Sequence, residues 1–315
     1  MKVAVLGAGG LGTFLGAALA RSSEDVSFIT RGAHLNTLRD QGLSVDSVAL
    51  GKFQVKIKAT EKPAEIGPVD LVLFCVKSYD TEQALQAIGP LINEGTVVLS
   101  FQNGVDNEDK IADVLGKKRV LAGAISIESF ISEPGVIKQT MGPVLMALGE
   151  VNGETTDRSR RIQEAFVKSG LKCELSNHIQ EILWNKFLFI CATGGVCSIT
   201  RATIGEVLAF QPTRDLYLDV MREVEIVGRA KGINLAPDVV SRTLSQADGM
   251  NKMTKPSMLR DLERGRRLEI DALNGTVSRL SHQLSVSTPA NDFIYASLKL
   301  QDARAAGNIK SLQST

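Results

Sequence analysis

The chain has 315 residues, of which 43% are hydrophobic and 23% charged, and its formal net charge is +1. A balance this close to neutral argues against a dedicated nucleic-acid-binding protein, which needs a clustered basic surface to neutralise phosphates. The length favours two domains over one. Because no uninterrupted apolar run approaches the roughly 20 residues of a membrane span, we expect a soluble, cytoplasmic protein that binds neither nucleic acid nor membrane.

The first twenty residues are typical of a strand, a glycine-rich turn and a helix. Met1–Leu6 is a short apolar run, and Thr13–Ala20 has helical character. The turn between them predicts a dinucleotide site, because its glycines permit a tight turn, close approach of a pyrophosphate and close helix packing. An ordinary glycine-rich turn is the alternative. The predicted cofactor-binding residues here are Gly7, Ala8, Gly9, Gly10, Leu11 and Gly12.

Further strand-like runs recur at intervals that leave room for helices. Nearly continuous apolar strands of this kind predict a parallel sheet covered on both faces, which together with the glycine turn indicates an α/β Rossmann domain. The runs are Val26–Thr30, Leu71–Val76, Thr96–Phe101 and Val120–Ile127.

Four segments lie outside that regular alternation. The pattern predicts an antiparallel excursion in residues 42–58, a hairpin that pairs residues 125–130 with 136–139, a last strand at 144–148 and a helix at 158–168.

After about residue 175 the strand patterns give way to long helical ones. We therefore predict a Rossmann domain in residues 1–172 and an all-helical substrate and dimerisation domain in residues 173–315, with the substrate in the cleft between them. A homodimer is one candidate assembly. The predicted helices are 179–191, 214–231, 237–247, 257–284 and one that starts at Thr288-Pro289.

Polar residues follow the predicted parallel strands, where ligands bind in open sheets. Thr30 and Arg31 end the second strand with no acidic residue, which favours NADPH because a 2′-phosphate needs a cation there. Lys77 could attract an anionic substrate or brace the nicotinamide ribose, and Asn103 precedes Gly104 at the end of another strand. A solvated surface arginine, a strand-terminating lysine and a simple Asn-Gly turn are the respective alternatives.

Lys186 is the candidate proton donor of the second half. On a helix it shares a face with Ile182, Phe189 and Ile190, and desolvation by such neighbours would lower the pKa of an amine. A lysine whose stem packs while its head reaches water has the same spacing.

Two further polar residues accompany it. Glu269 is predicted in a helix, where local ion pairs with Arg264, Arg266 and Arg267 are the alternative role, and Ser257 is typical of a helix start, where its hydroxyl could serve as a cap. The four cysteines and three histidines show no metal-ligand spacing, so we expect no metal site.

Together these residues resemble the ketopantoate reductase (2-dehydropantoate 2-reductase) family along the whole chain. The resemblance rests on the glycine turn, Arg31, Val76-Lys77, Asn103-Gly104, Leu183-Trp184-x-Lys186, Ser257-Met258-Leu259-x-Asp261 and Glu269-Ile270-Asp271-x-x-Asn274-Gly275.

The resemblance implies a C-terminal domain like that of 6-phosphogluconate dehydrogenases and NADP(H) as cofactor. It implies that Lys186 acts as general acid on the keto oxygen and that Glu269, the second catalytic residue, helps place it. Asn103 and Ser257 help place the substrate, and Lys77 lines the region where cofactor and substrate meet. The implied reaction is reduction of ketopantoate to pantoate in pantothenate biosynthesis.

Three positions depart from the family pattern. Ile190, Gly194 and Thr254 stand where well-characterised members carry asparagines that help bind the pantoyl group. The substrate could therefore be a different 2-keto acid or related carbonyl compound. A non-catalytic NADP-binding protein is the third hypothesis, and retention of Lys186, Ser257 and Glu269 together argues against it.

Overall fold

The computed structural model describes residues 1–309, and the chain divides into two compact units. Unit 1 comprises residues 1–102 and 107–179, and unit 2 comprises residues 103–106 together with the chain from Gln180 onward. The domain boundary between residues 172 and 173 stays a prediction from the sequence. Each unit is described by itself below.

Unit 1 contains twelve strands in two sheets, eight in the larger and four in the smaller. The larger sheet has the order β12-β11-β8-β7-β6-β1-β2-β5, and the smaller has the order β4-β3-β10-β9. The strands are β1 Lys2–Leu6, β2 Asp25–Ile29, β3 Leu43–Ser47, β4 Gly51–Val55, β5 Lys58–Thr60, β6 Leu71–Phe74, β7 Val97–Ser100, β8 Val120–Ser126, β9 Ser129–Glu133, β10 Val136–Gln139, β11 Leu145–Glu150 and β12 Cys173–Leu175.

The larger sheet is parallel apart from one antiparallel pair, β8 with β11, which confirms the predicted Rossmann sheet. Leu6 pairs with Ile29 on one side and with Phe74 on the other, and Phe74 pairs with Ser100. This register brings the carboxyl ends of β1, β2, β6 and β7 to one edge. Ligands of open α/β sheets bind at that edge.

The smaller sheet confirms two of the four segments predicted outside the regular alternation of strands and helices, and it changes the predicted start of the hairpin. β3 and β4 form the expected antiparallel excursion, and β9 and β10 form the expected hairpin. The first hairpin arm begins at Ser129 rather than Ile125, because Ile125 continues β8 and pairs with Met146 of β11. The strand predicted at residues 144–148 is confirmed as β11, but it is not the last strand, since β12 follows it and pairs with it in parallel. Three residues are too few to give a pattern in the sequence.

Unit 1 also contains five α-helices among its described residues. The segment predicted at 158–168 is confirmed, because Thr156 and Ser159 form a capping box at its start and Ile162, Ala165 and Phe166 are buried. The helices are α1 Gly10–Arg21, α2 Gly32–Gln41, α3 Thr81–Ala87, α4 Asn107–Leu115 and α5 Asp157–Lys168.

The regular secondary structure in the described residues of unit 2 is all helical, which confirms the predicted fold class. Its first helix begins at the last residue of unit 1. The helices are α6 Ile179–Thr200, α7 Ile204–Ala209, α8 Gln211–Ala230, α9 Val239–Asp248, α10 Ser257–Glu263, α11 Asn274–Leu284 and α12 Pro289–Ala305.

Helix α6 forms the core of unit 2. By length and composition it could cross a membrane, but 67% of its most apolar window is buried inside the fold. Trp184 and Phe187 are fully buried on it, and their rings meet edge to face at 5.5 Å. Burial of this kind is typical of a central helix in a globular domain.

The single helix predicted over residues 257–284 is wrong. Helix α10 ends at Glu263, and Gly265 has a positive φ of +63°, a conformation that ends helices. The chain becomes helical again only at Asn274. Glu269 therefore lies in an irregular connection, where its position is set by tertiary contacts rather than by helical spacing.

Three of the four cysteines are buried, one in unit 1 and two in unit 2. Burial raises the pKa of the Cys173 and Cys197 thiols to about 12 and also raises that of Cys191. These thiols behave as small apolar side chains.

Candidate active site

Three glycines of the turn after β1 are required by packing inside unit 1. Gly7 has φ +102°, and a Cβ added there would lie 2.5 Å from the Val76 nitrogen. Cβ atoms at Gly10 and Gly12 would each lie 2.2 Å from a backbone oxygen, that of Ser129 and that of Gly7 respectively. The fold itself excludes a side chain at these positions.

Gly9 differs from its neighbours. Apart from its own chain neighbours and the adjoining turn of α1, no described residue has an atom within 4 Å of the place where its Cβ would stand. Gly9 is the N-cap of α1, and among the described residues no side chain caps that helix. The open space and the uncapped N–H groups suit the pyrophosphate of a dinucleotide. Packing does not account for a glycine here, and the open space would admit a ligand close to the backbone.

Replacing Gly9 by alanine is expected to raise the Kd of NADPH by at least about tenfold, equivalent to about 1.4 kcal/mol, and to lower Tm only slightly, because alanine is a poorer N-cap than glycine but its methyl group meets no neighbouring residue. Gly10→Ala is the matched control, because the same methyl group would meet the Ser129 oxygen and lower Tm. Fluorescence titration with NADPH and thermal unfolding of both variants measure the two effects. A Tm loss in Gly9→Ala equal to that in Gly10→Ala would contradict the assignment.

The end of β2 presents Thr30 and Arg31. The Thr30 nitrogen donates to the Thr60 oxygen at 3.0 Å, which fixes this strand end against β5. Arg31 is exposed and extended, and it is the N-cap residue of α2. The first turn of α2, residues 32–35, holds no acidic residue. A cation beside a helix N-terminus without acidic neighbours is suited to phosphate.

Gln102 is a residue that sequence reasoning did not assign to the site. Its Nε2 donates to the Val76 oxygen at 3.0 Å and to the Thr81 Oγ1 at 2.8 Å. The buried amide thereby ties the end of β7 to the segment that follows β6 and carries the half-buried Lys77. The sequence signal that could have revealed this role was a glutamine directly after a predicted buried strand, since a buried amide requires hydrogen-bond partners.

Lys186 lies in unit 2 on the less buried side of α6. It is half-buried, as are Ile182, Phe189 and Ile190 around it, whereas Trp184 and Phe187 face the core. The helix predicted for this segment is confirmed. On this helix, apolar side chains lie around the hydrocarbon part of the Lys186 side chain.

Unit 2 also brings Asn103 and Glu269 together. The Asn103 Nδ2 donates to the Glu269 Oε2 at 3.4 Å, a long hydrogen bond, and Glu269 is only 8% exposed. The next residues of the same segment are anchored as well, because Arg279 of α11 forms a 2.5 Å ion pair with Asp106. Two predicted site residues that are far apart in sequence are thus neighbours.

Two of the three arginines considered as alternative partners of Glu269 have other described partners. Arg266 lies 4.0 Å from Asp261, and Arg267 lies 3.5 Å from Asp302.

Ser257 is the first residue of α10, and its side chain is exposed. Pro256 is the N-cap, and in the described chain no side chain caps this helix. The helix start predicted at Ser257 is confirmed, whereas the alternative capping role is wrong, because the residue lies one position inside the helix. Among residues 1–309, no three His, Cys, Asp or Glu side chains are grouped so that they could hold a metal ion.

The chain was compared with families of known proteins, and two family models match most of its length. Residues 3–153 match the family model of Ketopantoate reductase PanE/ApbA, and residues 178–302 match that of its C-terminal domain. The protein is thus an oxidoreductase with a Rossmann-type nucleotide-binding fold. The chain belongs to the ketopantoate reductase family.

Three similar proteins are an uncharacterized oxidoreductase and two proteins of solved structure. The chain is 32% identical to the uncharacterized oxidoreductase YkpB of Bacillus subtilis, over 96% of this chain and 99% of that protein. A PanE/ApbA family ketopantoate reductase from Ralstonia eutropha JMP134 has a crystal structure with TM-score 0.89, 32% identity and coverage of 97% and 100%. D-mandelate dehydrogenase, solved with NADH and anilino(oxo)acetate, has TM-score 0.88, 25% identity and coverage of 98% and 100%.

Proposed function

We propose that this protein is an NADPH-dependent reductase of a 2-keto acid and that the first substrate to consider is ketopantoate, which it would reduce to pantoate for pantothenate biosynthesis. One observation carries the proposal. In this chain of the ketopantoate reductase family, the same unit contains Lys186 and the hydrogen-bonded pair Asn103 and Glu269. A cytoplasmic location and a homodimer are part of the same proposal.

When bound, the nicotinamide supplies a hydride to the keto carbon. Reduction leaves negative charge on the keto oxygen, and the Lys186 ammonium stabilises that charge and donates its proton there. Apolar neighbours keep water from competing for the ammonium. Glu269 is the second catalytic residue, and its carboxylate orients Lys186.

Asn103, Ser257 and Lys77 bind the substrate in this proposal. The Asn103 amide is held by Glu269, the Ser257 hydroxyl is exposed at the start of α10, and Lys77 supplies a positive charge for the substrate carboxylate. Lys77 and Asn103 also border the nicotinamide ribose. A fixed amide, a hydroxyl and a cation match the polar groups of a 2-keto acid.

The nucleotide is held by unit 1 in this proposal. The glycine turn binds the pyrophosphate, while Thr30 and Arg31 bind the 2′-phosphate that distinguishes NADPH from NADH. The open space at Gly9 and the cation at Arg31 support this choice.

A different 2-keto acid is the second candidate substrate. The similarity to D-mandelate dehydrogenase, whose structure holds anilino(oxo)acetate, favours it, and so do Ile190, Gly194 and Thr254. The nicotinamide chemistry would be unchanged, and only the group attached to the keto acid would differ.

The purified protein is expected to oxidise NADPH when a 2-keto acid is added, and the loss of NADPH absorbance measures the rate. A panel that includes ketopantoate, 3,3-dimethyl-2-oxobutanoate and phenylglyoxylate, compared by kcat/KM, identifies the substrate. NADPH binding without turnover of any member of the panel would overturn the proposal and favour a non-catalytic nucleotide-binding protein.

A further inference from the structure

Glu269 lies in the irregular connection between α10 and α11, residues 264–273, where no helical spacing fixes the direction of a side chain. The Glu269 backbone oxygen accepts from the Ala272 and Leu273 nitrogens, both at 3.1 Å. These two bonds order the chain that follows Glu269. The chain that precedes it is fixed from another helix.

That helix is α12, and the residue that makes the contact is Asp302. Asp302 is only 1% exposed, and its Oδ1 accepts from the Leu268 nitrogen at 2.9 Å. Leu268 is buried and directly precedes Glu269 in the chain. A buried carboxylate and a buried N–H fix each other firmly, because neither group can be left without a partner inside the protein.

Two further residues of α12 hold the chain on the other side of Glu269. Tyr295 and Lys299 share one face of the helix with Asp302, since the three residues follow one another at intervals of four and three. The Tyr295 hydroxyl donates to the Asp271 Oδ1 at 3.0 Å, and the Lys299 ammonium donates to the Asp271 Oδ2. One face of α12 therefore contacts the residue before Glu269 and the second residue after it.

The charges of this cluster compensate one another. The Lys299 Nζ lies 3.3 Å from the Asp302 Oδ2, and the Arg267 Nε lies 3.5 Å from the Asp302 Oδ1. Burial by itself lowers the pKa of Lys299, but the hydrogen bond with Asp271 and the interactions with Asp302 raise that pKa overall. The ammonium thus stays charged at neutral pH, and the buried Asp302 carboxylate keeps partners of opposite charge.

We infer that Asp302 is a positioning residue of the reductase and that it acts through Glu269. By holding the Leu268 peptide, Asp302 sets the direction in which the Glu269 side chain leaves the backbone. That side chain accepts the bond from Asn103. The inference rests on the proposed function, in which the Glu269 carboxylate orients Lys186. Asp302 does not touch the substrate in this inference, and its effect passes through the backbone of residues 268 and 269.

Asp302→Ala removes the acceptor of the Leu268 N–H and is expected to lower kcat for keto-acid reduction by about 10- to 100-fold, because small misplacements of catalytic groups have effects of this size. Asp302→Asn is expected to recover most of kcat, since its amide oxygen can still accept that bond. Asp302→Leu, which fills the space of the carboxylate without accepting a hydrogen bond, replaces the alanine variant if that variant does not fold.

A double-mutant cycle with Glu269→Gln separates positioning from a general loss of stability. If Asp302 acts through Glu269, Asp302→Ala lowers kcat in the wild-type background but has little further effect once Glu269 is replaced. Two independent losses that multiply in the double variant would overturn the inference and leave the reductase function intact. Absence of keto-acid turnover by the wild type would instead overturn the proposed function, and the inference with it.

Glu223→Ala is the matched control for lost stability. Glu223 of α8 is another buried carboxylate of unit 2, and it accepts from the Ala290 and Asn291 nitrogens at 2.9 Å each, at the start of the same helix α12. Thermal unfolding is expected to show a lower Tm for Glu223→Ala, as for Asp302→Ala, whereas its kcat should stay close to that of the wild type. Equal losses of kcat in the two variants would refute a specific role for Asp302.

Discussion

Replacement of Lys186 by methionine is expected to lower kcat for keto-acid reduction by about 10²- to 10⁴-fold, the usual contribution of a positioned general acid. Methionine keeps an unbranched stem among Ile182, Phe189 and Ile190 but cannot donate a proton. Steady-state kcat at saturating keto acid and NADPH measures the loss. The Kd of NADPH should change little, because the residues proposed to bind the pyrophosphate and the 2′-phosphate lie in unit 1.

Asn185→Met provides the control for this experiment. Asn185 is exposed and directly precedes Lys186 on α6, so the variant introduces the same side chain into the same helix without removing the amine. We expect its kcat to remain close to that of the wild type. A Lys186→Met enzyme with wild-type kcat would refute the general-acid role, and equal losses in the two variants would indicate damage to the helix instead.

Replacement of Arg31 by aspartate is expected to lower kcat/KM for NADPH by about 10²-fold while changing kcat/KM for NADH little. A hydrogen bond to a charged group contributes about 1.5–3 kcal/mol, which corresponds to roughly 10- to 150-fold in affinity. The aspartate would in addition repel the 2′-phosphate of NADPH and could accept a bond from the 2′-hydroxyl of NADH. Kinetics with each nucleotide at a fixed keto-acid concentration give the ratio.

The matched control for Arg31 is Lys56→Asp, which changes the net charge by the same amount. Lys56 is also exposed in unit 1, but it follows β4 in the smaller sheet rather than the strand end that carries Thr30. We expect this variant to retain the nucleotide preference of the wild type. Equal losses for NADPH and NADH in Arg31→Asp would exclude a specific contact with the 2′-phosphate.

Features encoded within a few consecutive residues could be predicted from the sequence. The strand, glycine turn and helix of residues 1–20 form one local pattern, and the buried parallel strands are continuous apolar runs. Lys186 could be placed on a helix because the apolar spacing around it repeats over several turns.

The contacts that shape the candidate site could not be predicted in the same way. Asn103 and Glu269 are separated by 166 positions, and Glu269 lies outside any helix because Gly265 interrupts the pattern. The sequence gives no sign that Met258 fills the space beside Gly194, since a glycine within a helix is locally only a weak helix former. These positions depend on tertiary packing, which overrides local propensity.

The buried thiols make the folded chain resistant to alkylation. Because burial raises the pKa of the Cys173 and Cys197 thiols to about 12, very little of either thiol is present as the reactive thiolate at pH 7. A thiol reagent can therefore modify these side chains only when the surrounding structure opens. Because Cys173 belongs to unit 1 and Cys197 to unit 2, the rate at which each cysteine is labelled reports how often its own unit opens.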